Sequence, residues 1–249
     1  MKIITWNCAG AFRKKYHVLD GFDADILVIQ ECENPALSTQ EYLHWAGDYL
    51  WIGQTRHKGL GIFAKKSHRL QPLDWSGSFS IPFLASQLSA KTWHTEDLQS
   101  FLPVMVDEDL TLLGVWTKQA GSDTFGYIGQ LWKYLMIHLQ DLPFRRGVIA
   151  GDLNSNVIWD RSDRWWNHSD VLALLRQKGY SSVYHSCFAE LAGQESQPTY
   201  YMHRNKEKGY HIDYCFLTDD LLSTASYVDG SAIDWLALSD HIPQIIRID

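Results

Sequence analysis

Apolar residues fall in short runs separated by polar turns, with no single long hydrophobic stretch. Ile3-Ile-Thr-Trp6 reads as a strand ending at Asn7. A short amphipathic segment from Tyr16 to Phe22 leads into Asp25-Ile-Leu-Val-Ile-Gln-Glu31, whose continuous apolar centre predicts a strand buried on both faces. Ser38-Thr-Gln-Glu41 has the spacing of a capping box, with Ser38 as cap, and opens a helix that stops near Gly47. Leu60 to Ala64 is a further strand. Pro103–Val106 and Leu110–Trp116 form a hairpin through Asp107-Glu-Asp109.

The second half repeats this grammar. Ile128, Leu131, Trp132, Leu135 and Leu139 recur at helical spacing, so an amphipathic helix ends before Pro143. Val148-Ile-Ala150 is a short buried strand that Gly151 is expected to break, delivering Asp152 and Asn154 in the turn beyond. Ser169 is the expected cap of a helix through Lys178, stopped by Gly179. Ile212–Leu217 and Gln244–Ile248 are the last strands, the second preceded by Ser239-Asp-His-Ile-Pro243. Between Ser67 and Ser100 no period emerges. Strands outnumber helices, and the mix of hairpins with helical crossovers predicts mixed sheets in an α/β (α+β) fold.

Composition fits a large core: 45% of the residues are hydrophobic, 20% charged and 13% aromatic. With no repeat or Pro/Gly/Ser linker, residues 1–249 are expected to form one domain. The formal net charge of -7 argues against a general polybasic binder, but local basic patches and bound cations leave a nucleic-acid enzyme open. The four Cys (8, 32, 187 and 215) show no CxxC pairing, which disfavours a zinc site or a disulfide framework. No run reaches the length of a membrane span and no charged-then-apolar leader opens the chain, so a cytoplasmic setting without membrane contact is expected. No obligate protein partner is evident.

Chemistry enters through the strand ends. Asn7, Glu31 and Asp152 each follow an apolar strand, Asp213 begins one, and Asp240-His241 precedes another. If the last two strands run antiparallel to the first three, all six side chains share one edge. Taken singly, each has a structural explanation. A Gln-Glu pair caps a strand, Ser-Asp-His makes a turn, and Asp213 pairs with a base such as Arg204 or His211. Taken together, carboxylates and a carboxamide without Cys suit a hard cation, Mg²⁺ or Mn²⁺. An Asp-held His beside them suits water attack on a phosphate ester. Neither a nucleophile elbow nor a Walker-type loop is present, which leaves hydrolysis rather than nucleotide-driven transfer.

Thr5-Trp-Asn7, Gln30-Glu31, Gly59-Leu-Gly-Ile-Phe63, Gly151-Asp-Leu-Asn154, His211-Ile-Asp-Tyr214 and Ser239-Asp-His241 follow one another along almost the whole chain. In this order they resemble the endonuclease/exonuclease/phosphatase superfamily, which includes exonuclease III-like abasic-site endonucleases and deoxyribonuclease I. The resemblance implies a four-layer α/β/β/α sandwich of two mixed β-sheets with helices outside. It implies Glu31 as principal metal ligand, with Asp240 and Asn7 as ligands or close behind. Asp152 would position or activate water, Asn154 would help hold that water or the phosphate, and His241, oriented by Asp213, would bind the scissile phosphate. Two departures stand out. Trp116 occupies a position where many members place a phosphate-contacting His or Tyr, with Tyr127 or Lys118 as replacements, and Ala9 stands where a second metal would need a polar side chain.

For substrate, basic clusters at Arg13–Lys15, Arg56–Lys58, Arg161/Arg164 beside Trp165-Trp166, and Arg204–Lys208 are expected on loops at the catalytic edge. Arg13, Lys58, Trp116, Trp165 and Arg204 are the expected substrate contacts. The resulting expectation is a metal-dependent nuclease, endonuclease or exonuclease, acting on DNA. The alternatives are a phosphatase or phosphodiesterase for a small-molecule or lipid phosphate, and a catalytically silent nucleic-acid-binding module. His168 reads as an ordinary helix-start His rather than a substrate contact.

Overall fold

The computed structural model describes residues 1–81, 92–119, 125–228 and 230–249. Its main strands in chain order are β1 (Lys2–Asn7), β2 (Ile26–Cys32), β3 (Asp48–Thr55), β4 (Lys58–Ala64), β5 (Leu70–Pro72) and β6 (Phe101–Val106). They continue as β7 (Leu110–Trp116), β8 (Gly147–Asp152), β9 (Tyr180–Ser182), β10 (Asp213–Thr218), β11 (Ala225–Tyr227) and β12 (Gln244–Ile248). Two six-stranded sheets result, in the orders β11-β12-β1-β2-β4-β3 and β9-β10-β8-β7-β6-β5. Both are mixed. β1 runs parallel to β2 and β8 parallel to β7, while β12 and β10 run antiparallel to β1 and β8.

Side-chain alternation places each sheet between two apolar layers. From β1, Ile3 joins the inter-sheet core with Val28, Ile62, Val104, Leu112, Ala150 and Ile246. The next residue, Ile4, points to the opposite face and packs with Leu27, Ile29, Phe63, Phe12 and Tyr42. In the second sheet Leu113, Ile149 and Phe216 face outward against helices α2 (Ile128–His138) and α3 (His168–Gln177). The order is helix, sheet, sheet, helix, with α1 (Gln40–Ala46) in the layer over the first sheet. Among the described residues no helix is long and apolar enough to cross a membrane.

Most predicted elements appear within a residue or two of their expected ends, and three details differ. Thr39, not Ser38, caps α1, its hydroxyl accepting from the Tyr42 N–H at 3.3 Å. Asn167, not Ser169, caps α3, because Asp170 returns a carboxylate to the Asn167 N–H at 2.7 Å and completes the box two residues earlier. Gly151 does not break its strand, since β8 continues through it to Asp152. Its role is close approach, for a Cβ there would lie 1.8 Å from the Val115 carbonyl oxygen on the parallel neighbour. The featureless stretch after Ser67 contains β5 and a small ribbon of Ser78–Ser80 with Thr92–His94, and residues 82–91 of it lie outside the described ones.

His168 is the first residue of α3 and is fully buried, against the ring of Tyr214 at 5.0 Å between centroids. Among the described residues neither ring nitrogen has a hydrogen-bond partner. It is a core residue.

Two predictions follow from the packing. Gly151→Ala forces β8 from β7 and is expected to cost about 3 kcal/mol or more, read as a lowered midpoint in urea unfolding. Burial holds the His168 ring at a pKa of about 4 despite the Asp160 and Glu195 carboxylates, with His185 and His211 adding to the depression. A pKa depressed on folding favours the fold above the unfolded value, and that contribution is lost as pH falls from about 6.5 through 4. The isosteric His168→Phe lacks this term. Between pH 7 and 4 its stability should therefore fall by about 3 kcal/mol less than the parent's; parallel losses on urea unfolding would contradict the assignment.

Candidate active site

The ends of β1, β2 and β8 and the starts of β10 and β12 meet at one edge. This follows from the registers: Asp152, the last residue of β8, stands opposite Asp213, the first of β10. The two sheets are tied there by side chains, since the Asn7 amide at the end of β1 donates to Asp152 Oδ2 at 2.9 Å. Asp152 also accepts from the Asn154 N–H at 2.8 Å and from the Asn154 amide at 2.9 Å. Asn154 adopts a left-handed backbone, φ 46°, which Asn tolerates and which folds its amide back on Asp152.

Across from this carboxylate, His241 Nδ1 lies 2.9 Å from Asp213 Oδ2. Asp152, Asp213 and His241 are all buried, and one ligand-type atom from each lies within 4.8 Å of the others. Burial and the adjacent Asp213 charge push the Asp152 carboxyl upward, towards neutrality, against the pull of His241 and the donors from Asn7 and Asn154. Burial opposes a charge on His241, yet the Asp213 charge and hydrogen bond, aided by Asp152 and Asp240, raise its pKa above the ordinary imidazole value. The site therefore pairs a carboxylate made more basic with an imidazole whose protonated form a second carboxylate favours.

Several further residues hold this arrangement, and all but Ser239 lie outside the recognised motifs. Ser239 donates to the Asn7 carbonyl at 2.7 Å and accepts from the His241 N–H at 3.0 Å. Thr199 accepts from the N–H groups of Ile212 and Asp213, each at 3.0 Å, and Gln244 donates to the Asp213 carbonyl. Tyr200 lies against His241, with ring centroids 4.7 Å apart. Thr199 and Tyr200 follow Pro198 in a stretch with little strand signal, and only the folded ribbon of Tyr200–Tyr201 with Gly209–Tyr210 brings them in.

The other expected positions divide. Asp213 pairs with His241 rather than with Arg204 or His211; the Arg204 guanidinium reaches the Ala237 carbonyl at 3.3 Å, and His211 faces the Gln197 carbonyl at 2.9 Å. Both N–H groups of the Asn154 amide are engaged, on Asp152 and on the Thr117 carbonyl, so Asn154 positions Asp152. Glu31 sits in left-handed backbone where the β2–β4 register shifts, an irregularity that re-aims its side chain towards the edge. There its carboxylate pairs with the Lys58 ammonium at 2.5 Å. Asp240 is half-buried, and among the described residues no hydrogen bond or ion pair engages its carboxylate.

Two of the expected substrate contacts are engaged by their own neighbours. Trp116 is only 6% exposed, and the Lys118 ammonium lies over its ring at 3.7 Å, so Lys118 presents the polar group at that place. Arg13 is taken up by the buried Glu33, which receives both its backbone N–H and its guanidinium. Trp165 remains 48% exposed while its ring packs on Trp132 at 4.9 Å and Phe125 at 5.5 Å.

As a cation site, the edge has the right donors. Glu31 and Asp240 offer hard oxygen ligands, and Glu31 already faces a positive group in Lys58. The tighter group of Asp152, Asp213 and His241 could also hold a cation; there both Asp152 oxygens and Asp213 Oδ2 are engaged in hydrogen bonds, while Asp213 Oδ1 has no hydrogen-bond partner among the described residues.

No protein-family model matches the sequence, and no curated protein does. Solved structures do match the fold over essentially the whole chain. An AP endonuclease from Archaeoglobus fulgidus is 19% identical, with a TM-score of 0.65 over 100% of this chain and 99% of that one. A 3'-5' exonuclease (NExo) from Neisseria meningitidis is 16% identical, with a TM-score of 0.68 over 100% of both chains. The catalytic domain of Xenopus laevis APE2 is 18% identical, with a TM-score of 0.61 over 100% of this chain and 91% of that one. With two mixed sheets packed face to face and the ordered motifs at their shared edge, the chain has the fold of the endonuclease/exonuclease/phosphatase superfamily.

Proposed function

We propose that the chain is a divalent-metal-dependent phosphodiesterase that hydrolyses nucleic acid, with DNA as its substrate. The observation that carries this reading is the buried Asp152, fixed by Asn7 and Asn154, opposite the Asp213–His241 pair. Asp152, with its pKa raised by burial and by Asp213, takes a proton from the attacking water. His241 holds its Nδ1 on Asp213, which leaves Nε2 to donate to a phosphoryl oxygen as charge develops there. Glu31 and Asp240 would hold Mg²⁺ or Mn²⁺, which when bound supplies positive charge to the phosphate and its leaving oxygen.

The basic clusters support a polyanionic substrate. Arg56–Lys58 turns between β3 and β4, and Arg204–Lys208 lies in the ribbon loop before β10, both beside the catalytic edge. Among solved structures of the same fold is one described as a 3' phosphatase from Neisseria bound to product DNA hairpin, with a TM-score of 0.67. This supports nucleic acid over lipid or inositol phosphates.

The test is a panel of plasmid, linear duplex, single-stranded DNA, abasic duplex, RNA and inositol phosphates, with Mg²⁺, Mn²⁺ or chelator. Cleavage of nucleic acid should require the metal, and Asp152→Asn or His241→Ala should lower it by about a thousandfold or more while circular dichroism stays unchanged. Phosphate release from inositol phosphates alone would replace this reading with the phosphatase one. Full activity of either variant would overturn the assigned roles. A second prediction concerns protonation. In Asp213→Asn the charge that lifts His241 is gone and burial dominates, so the His241 ring should titrate below its value in the parent on NMR of ¹⁵N-labelled imidazole nitrogens. An unchanged midpoint would show that Asp213 does not govern the ring.

A further inference from the structure

A row of rings leads from the buried imidazole to the surface. The centroids of His241 and Tyr200 are 4.7 Å apart, Tyr200 and Tyr210 stack across the ribbon at 6.5 Å, and Tyr210 meets Trp159 at 5.2 Å. Exposure rises along the row, from the buried His241 through the two half-buried tyrosines to Trp159, which is 42% exposed. An indole left open to water at the end of such a row needs a reason.

The support beneath it is rigid. Trp159 ends a one-turn 3₁₀ helix, Val157–Trp159, capped by Asn156. The Asn156 amide donates to Glu195 at 3.0 Å, to the His211 carbonyl at 3.0 Å and to Tyr214 Oη at 3.1 Å, while its oxygen accepts the Ile158 N–H. Arg164 closes on the Trp159 carbonyl at 2.8 Å. The ring is thus presented on a fixed base, so that stacking on it costs little further ordering. Beside the row, the ribbon loop carries exposed Lys206 and Lys208, and no ion pair engages either among the described residues. Aromatic faces next to free cations are the pairing that binds single-stranded nucleic acid, where rings stack on bases and ammonium groups track the backbone.

Resting on the nucleic-acid reading above, we propose that Trp159 and Tyr210 form a stacking platform for an unpaired base flanking the phosphate at His241. The enzyme therefore engages single-stranded or frayed nucleic acid in preference to intact duplex. The faces of bases inside a duplex are already stacked on their neighbours, and only an unstacked base offers a face to Trp159.

The test uses the full chain with Asp152→Asn as the background, so that binding is read without turnover. Fluorescence anisotropy compares a labelled single strand, its duplex, and a strand of the same length whose sugars lack bases. The base-bearing single strand should bind tightest. Adding Trp159→Ala should weaken it about tenfold and weaken the base-less strand far less, and Trp159→Phe should recover most of the loss. Phe144→Ala, which removes an aromatic residue 64% exposed and set against Lys178, is the control and should change neither affinity. Equal losses on both strands, no loss, or tighter binding of the duplex would overturn the platform while leaving the nucleic-acid reading intact. Failure of every variant to bind any strand would overturn both.

Discussion

Two carboxylates buried face to face set the terms for this molecule. Asp152 and Asp213 stand opposite each other on adjacent strands and are almost wholly hidden from water. A buried charge without partners costs several kcal/mol, and two like charges cost more. The structure meets this with the His241 imidazole on Asp213, and with amide donors from Asn7 and Asn154 on Asp152. What survives is a carboxylate less comfortable as an anion than in water, beside an imidazole more comfortable as a cation. That imbalance gives the pair its chemistry.

The same interaction joins the two sheets. Asn7 belongs to the first sheet and Asp152 to the second, and Ser239 links the Asn7 carbonyl to the His241 backbone. The apolar layer between the sheets fixes their spacing, and the polar clasp at one edge fixes their relative register. Close approach within the second sheet matters equally, since Gly151 lets the β8 backbone lie against Val115 one residue before Asp152. A substitution there would displace Asp152 through the strand.

Charge is organised locally rather than globally. The chain carries a net -7, yet basic groups such as Lys58 stand at the edge the sheets share, where carboxylates need countercharge. Some of these groups serve the fold, as Arg13 does with Glu33. Lys58 stands on Glu31, and Lys118 covers Trp116. The basic groups are therefore not interchangeable, and their neighbours decide which of them face a ligand.

By itself the sequence determined the buried strands, because continuous apolar runs such as Ile26–Ile29 and Val148–Ala150 have few other ways to be buried, while the more exposed β3 and the three-residue β5, β9 and β11 gave no such signal. It also placed Asn7, Glu31, Asp152, Asp213 and His241 at strand ends, since polar residues that bound such runs must lie where strands stop. The helix caps at Thr39 and Asn167 escaped it, because several Ser, Thr and Asn compete within a few residues and only backbone geometry chooses. Partners at long range escaped it as well. That Asn7 reaches Asp152, that Ser239 and Thr199 hold the backbone around His241 and Asp213, and that Trp116 is covered while Trp159 is not, depend on contacts between residues far apart in the chain, and the pairing of Asp213 with His241 was legible only through the family resemblance. Local pattern settles which segments are buried, and only the packing of one sheet on the other settles which polar atoms share the edge between them.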